Sequence, residues 1–112
     1  MTRYLISFDD DAMTFPEEEL ADVGRAAHEV VEEAKDAGVW VFGGGLKDRE
    51  ASVVATDGTV TDGPYPKSKE HLGGFAVIDV PSREEALKWA AKIAVACRCA
   101  QDVRELLPDS TV

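Results

Sequence analysis

FAVIDVPSREEALKWA, residues Phe75 to Ala90, is the stretch on which the fold turns. Phe75-Ala76-Val77-Ile78-Asp79-Val80 is a short, mostly apolar run of strand type, closed by Pro81. Ser82 with Glu85 three residues later forms a capping box, in which the serine oxygen accepts the Glu85 amide at the start of a helix. Ala86, Ala90, Ile93, Ala94 and Cys97 then recur at helical steps as an inner face, with Leu87 and Ala91 alongside. A strand therefore feeds directly into an amphipathic helix.

Working outward, an earlier strand and helix precede it. Arg3–Phe8 alternates Tyr4, Ile6 and Phe8 against Arg3, Leu5 and Ser7, a strand with one face more apolar than the other. Thr14 and Glu17 have capping-box spacing, and Pro16 is tolerated in a first turn, so a helix is predicted to begin there. Its stripe is Leu20, Val23, Ala27, Val30, Val31 and Ala34, and Gly38 ends it. Val39–Phe42 follows as a buried-type strand leaving into Gly43-Gly44-Gly45, where backbones approach closely or turn unusually. Ala51–Thr56 and Thr59–Thr61 flank Asp57-Gly58, the signature of a two-residue type I′ hairpin. Asp102–Leu107 closes the chain as a last strand before Pro108.

That order predicts an α+β fold: a ferredoxin-like βαββαβ protomer with an extra hairpin strand and a mainly antiparallel sheet. Two helices cover one sheet face, so the other needs a partner, and a homodimer packed through the sheet faces is the simplest one. No linker, repeat or low-complexity segment interrupts the 112 residues, which are expected to form one domain over 1–112.

A composition of 45% hydrophobic and 30% charged residues is that of a globular chain, and no apolar run approaches the ~18 residues needed to span a bilayer. No membrane association is expected, and the start of the chain lacks the pattern of a signal peptide, which points to the cytoplasm. The one-residue spacing of Cys97 and Cys99 suits neither a disulfide framework nor a zinc site. No metal or other cofactor is predicted. A net charge of −10 argues against nucleic acid as a partner.

Two places could carry chemistry. His28 lies roughly a quarter-turn from the centre of the first helix's apolar stripe, with Arg25 and Glu32 at helical spacing; a border imidazole suits a general acid or base. Gly24, one turn before it, leaves room for a backbone or a ligand at a cost of about 1 kcal/mol relative to alanine. The second place is TDGPYPKSKEHLGGF, Thr61–Phe75. Asp62-Gly63-Pro64 is a rigid turn that would hold Tyr65, Lys67, Lys69 and Glu70 in fixed positions ahead of His71. Its two lysines form a positive spot suited to a small anionic or enolic ligand.

Asp62-Gly63-Pro64-Tyr65-Pro66-Lys67-Ser68-Lys69-Glu70, then Leu72-Gly73-Gly74-Phe75 and Glu84-Glu85-Ala86-Leu87-Lys88-Trp89-Ala90, resembles the DGPF subgroup of the YCII-related proteins, with similarity from Tyr4 to about Leu107. The resemblance implies a dimeric α+β barrel and places His28, in Arg25-Ala26-Ala27-His28 ahead of Gly38 and Gly45, where the family has its active-site histidine. It also implies lyase activity in a few relatives, including dehydrochlorinases acting on hydroxylated aromatics, and a link of DGPF proteins to alternative sigma factors. Two features differ from the family pattern. The Asp-Pro that often follows the tryptophan helix is absent from Trp89-Ala90-Ala91-Lys92-Ile93-Ala94, and Tyr65 replaces a phenylalanine.

Two function classes fit these residues. In the first, His28 is a general base, Asp62 fixes its tautomer or shapes the turn, and Lys67 or Lys69 stabilises developing negative charge without a cofactor. Arg25, Gly45, Gly63, Pro64, Tyr65 and Glu70 complete that candidate site. In the second, the same pocket senses a metabolite without converting it, or the dimer surface holds a protein partner such as a transcription factor.

Overall fold

A computed structural model describes residues 1–9, 12, 14–46, 52–62 and 72–108. Its elements run β1 (Thr2–Asp9), α1 (Leu20–Asp36), β2 (Trp40–Gly45), β3 (Ser52–Val54), β4 (Val60–Asp62), β5 (Leu72–Val80), α2 (Arg83–Cys97) and β6 (Asp102–Glu105). The main sheet has the order β2-β5-β1-β6 with every neighbouring pair antiparallel, and β3 and β4 form a separate hairpin. This is the expected ferredoxin-like α+β arrangement.

Register explains where the core lies. Tyr4 pairs with Ile78 and Ile6 with Ala76, so the side chains of these four residues share one face. They are buried with Val80, Ala86 and Ala90, while Trp40, Trp89, Ile93 and Val103 pack against them. Ile6, Ile78 and Val80 are the largest fully buried side chains, each contributing about 2 kcal/mol through removal from water. Leu5, Ser7, Phe75 and Val77 alternate onto the opposite face. Phe42 stands there 61% exposed, its ring 5.6 Å from that of Phe75.

The second cap forms as its spacing predicts: Ser82 Oγ accepts the Glu85 N–H at 3.2 Å. The first differs. Pro16 is extended, with φ −60° and ψ 146°, Glu17–Glu19 form a 3-10 turn, and α1 begins at Leu20 without a side-chain cap. Proline disfavours helical geometry in the residue before it, which keeps Thr14 and Phe15 outside the helix.

The hairpin turn also differs. Of Asp57 and Gly58 only Gly58 has positive φ, +90°, so a type I′ turn, which needs both, does not form. Instead Ala55 N–H donates to Thr59 O at 2.8 Å and Gly58 N–H to Ala55 O at 2.9 Å, closing a three-residue loop with glycine in its left-handed position. Asp57 accepts the Thr59 amide at 2.9 Å. Hydrogen bonds from Thr59, side chain first and backbone second, hold the Asp57 carboxyl below its ordinary value.

The three glycines after Phe42 continue β2 rather than ending it: Gly43, Gly44 and Gly45 pair with Ala76, Phe75 and Gly74. At Gly43 a Cβ would lie 2.5 Å from Phe75 O and 2.8 Å from the Ala76 Cα, so the close backbone approach expected of this run is real there. β5 starts at Leu72, earlier than the expected Phe75. β6 ends at Glu105 instead of Leu107, although Leu106 N–H still bonds Arg3 O at 2.9 Å. Ion pairs between Lys92 and Glu33 and between Arg98 and Glu19, the last two at the C-cap of α2 and the N-cap of α1, join the two helices on their exposed side.

Candidate functional site

A cavity of about 310 Å3 lies between the two helices and the sheet. Protein interiors hold few voids larger than a water molecule, and ligand sites begin near this size. Small residues create it: Gly24 and Ala27 on α1, Ala96 on α2 and Ala76 on β5 stand where larger side chains would meet. Ile6, Val23, Ala76, Ala96 and Cys97 are its buried lining residues, whereas Leu20, Gly24, Gly44 and Gly45 are exposed and mark its mouth.

Among the described residues the lining contains no charged side chain. Its polar side-chain groups are the Cys97 thiol and the Gln101 amide. Burial, with a smaller contribution from the charge of Cys99, pushes the Cys97 thiol above its ordinary value, so it sits in the cavity as a protonated weak donor. Gln101 Nε2 donates to Cys99 O at 3.3 Å and contacts Cys99 Sγ at 3.5 Å, which fixes the amide beside the chamber.

The sequence-selected residues fall around this chamber unevenly. Gly45 lies on its mouth. His28 is exposed on α1, one turn beyond Gly24 and about 40° around the helix from it, beside the mouth and outside the lining. Arg25 points into solvent and pairs with Asp22 at 2.8 Å. Asp62 ends β4, where its carboxylate accepts the Ser52 hydroxyl at 2.6 Å; among the described residues no hydrogen bond or ion pair joins it to His28. Gly63, Pro64, Tyr65, Lys67, Lys69, Glu70 and His71 lie outside the described residues.

Gln101 was not legible as a site residue, because nothing in its local sequence marks it. Cys97 was legible as an inner-face helical position but not as a cavity wall. Among the described residues no group of three or more His, Cys, Asp or Glu side chains is placed to hold a metal ion, and no helix is long and apolar enough to cross a membrane.

Residues 2–107 match the family model described as a YCII-related domain. Among solved structures, the chain is similar to a 5-chloro-2-hydroxyhydroquinone dehydrochlorinase from Burkholderia phenoliruptrix, determined in complex with 2,5-dihydroxybenzoquinone. The TM-score is 0.52 at 16% sequence identity, over 94% of this chain and 93% of that one, a likeness of fold. No curated protein matches the chain.

Proposed function

The chain belongs to the YCII-related family, and from that premise we propose that it binds a small molecule in the cavity between its helices and its sheet. His28 at the mouth acts as the general acid or base of a cofactor-independent, lyase-like step. The observation that carries this reading is the cavity itself: about 310 Å3, open to solvent beside the one histidine on α1. In such a step His28 takes a proton from a carbon or hydroxyl of the ligand, and the released electron pair expels a leaving group from the same molecule. Proton and leaving group depart together, so no oxidant or reductant enters the balance. Lys67 and Lys69 of the Asp62-Gly63-Pro64 segment are assigned to developing negative charge, in keeping with the DGPF-type sequence of that segment.

The substrate of the structurally similar dehydrochlorinase makes hydroxylated, halogenated aromatic rings the first compounds to try. Chloride release from 5-chloro-2-hydroxyhydroquinone and binding of 2,5-dihydroxybenzoquinone are measured on the wild type and on His28→Ala. The reading expects unchanged melting and retained binding in the variant with turnover lost. Turnover that survives His28→Ala would remove the histidine from the chemistry.

A second reading is favoured by one observation: Asp62 is held by Ser52 and not by His28 within the protomer. On that reading the protein is a non-catalytic metabolite-binding or regulatory module, linked to transcription through a sigma factor. Ligand recovered unchanged after incubation with excess protein supports it, and converted ligand excludes it.

Both readings include a cytoplasmic homodimer formed through the sheet face opposite the helices. Phe42 and Phe75 supply its apolar centre, and two-fold closure is the commonest way to cover such a surface.

A further inference from the structure

The chamber beneath the helices runs across the whole main sheet. Gly45 on β2, Ala76 on β5 and Ile6 on β1 line it in the order of the strands, and Gln101, the residue before β6, completes the row. Three strand spacings put Gln101 about 14 Å from the β2 end. A half-buried polar side chain at one end of such a row decides which end of a ligand comes to rest beside it.

Half of the Gln101 amide is already committed. An amide nitrogen carries two N–H groups, and Gln101 Nε2 makes two hydrogen bonds inside its own loop, to Cys99 O at 3.3 Å and to Cys99 Sγ at 3.5 Å. These bonds also settle which way round the amide lies, because a glutamine oxygen in that place would face the Cys99 carbonyl oxygen. The carbonyl Oε1 is left over: among the described residues no group donates to it. The Cys97 thiol in the same lining is a weak hydrogen-bonding group, so Oε1 is the stronger of the two side-chain partners. A ligand that displaces water from this oxygen keeps the bond only if it brings a donor of its own.

We infer that Gln101 is a specificity-determining residue of the chamber, whose Oε1 accepts a hydrogen bond from the ligand and so selects compounds that present a donor, a hydroxyl or an N–H, at the β6 end. This rests on the small-molecule reading of the cavity and deepens it. It concerns one end of the ligand and holds whatever charge the other end carries.

The test titrates three probes of similar shape into the isotope-labelled full chain at pH 7: cyclohexanol, which donates, and cyclohexanone and methoxycyclohexane, which only accept. Shifts in the backbone amide signals of Ile6, Ala76 and Ala96 report occupation of the chamber. Cyclohexanol is expected to bind at least about fivefold tighter than either of the others, the scale of one hydrogen bond kept or lost. A smaller preference overturns the role of Gln101 and leaves the small-molecule reading standing, whereas no shift with any probe overturns both.

Two variants separate a ligand-binding glutamine from one that only braces its loop. Gln101→Met removes the acceptor at similar side-chain length; it is expected to weaken cyclohexanol to the level of methoxycyclohexane and to leave methoxycyclohexane unchanged. Equal weakening of all three probes marks a structural glutamine and overturns the inference, as does a cyclohexanol preference that survives. Gln101→Glu loses the donors to Cys99 but keeps an acceptor, and is expected to retain the preference. If Gln101→Met fails to fold, Gln101→Glu decides: loss of the preference there overturns the assignment to Oε1.

Discussion

Trp40 and Phe42, two residues apart on β2, face opposite sides of the sheet. Residues i and i+2 of a regular strand share a face, but here Trp40 pairs with Ile78 and Phe42 with the adjacent Val77, a bulge at Val41 that reverses the alternation. Trp40 therefore packs on the helix-side core, and Phe42 stands exposed beside Phe75. One extra residue gives the strand an aromatic anchor on each face.

The exposed anchor makes the proposed homodimer testable. Phe42→Lys places a charge at the centre of that interface and is expected to yield a folded monomer with a wild-type circular dichroism spectrum. Sedimentation velocity reads the change; a variant with the wild-type sedimentation coefficient would sink the sheet-face dimer.

Gly43 tolerates no side chain. Because its Cβ would press on Phe75 O and the Ala76 Cα, which are backbone and cannot swing aside, Gly43→Ala is expected to cost about 2 kcal/mol. Urea unfolding monitored by tryptophan fluorescence measures it, and a midpoint equal to wild type would contradict the close approach of β2 and β5.

The cap of α2 has a calculable share in stability. Ser82→Ala leaves the Glu85 amide without its side-chain acceptor and is expected to cost about 1 kcal/mol. By contrast, Thr14→Ala is expected to change the denaturant midpoint little, since α1 begins at Leu20 with no side-chain cap. Equal losses in the two variants would show that the first capping box forms after all.

Alkaline pH is expected to weaken the fold through the cavity thiol. Burial raises the Cys97 pKa above its ordinary 9.0, so the folded state holds the proton more tightly than the unfolded chain does. The stability this contributes is fully present below the ordinary value and is lost as pH rises through the folded one. Unfolding free energy measured from pH 7 to pH 11 should stay level to about pH 8.5 and then fall, less steeply in Cys97→Ala. Identical slopes in both proteins would show that Cys97 does not carry the effect. The same protonation predicts that iodoacetamide modifies Cys97 more slowly in the folded protein than in urea.

Sequence alone determined what short-range interactions determine. The Ser82 cap, the apolar stripe of α1 with its end at Gly38 and the strands around Ile6 and Ile78 all follow from residues within a few positions of one another, where backbone geometry sets which side chains meet. Gly24 as a gap in α1 was legible in the same periodicity, whereas His28, expected at the border of the apolar stripe, is exposed. Features for which a short stretch admits two geometries, or which depend on partners distant in sequence, were not. Thr14 has the spacing of a cap, but the entry of the chain into α1 at Leu20 depends on Pro16 and the 3-10 turn that follows it; Asp57-Gly58 has the letters of a type I′ turn, but the Ala55–Thr59 pairing sets a longer loop. The bulge at Val41 exists because β2 must match β5, and the cavity is enclosed by residues from Ile6 to Gln101, no local window of which describes a void. Tertiary structure decided those because a face or a cavity belongs to several elements at once, and close packing fixes it only when they are brought together.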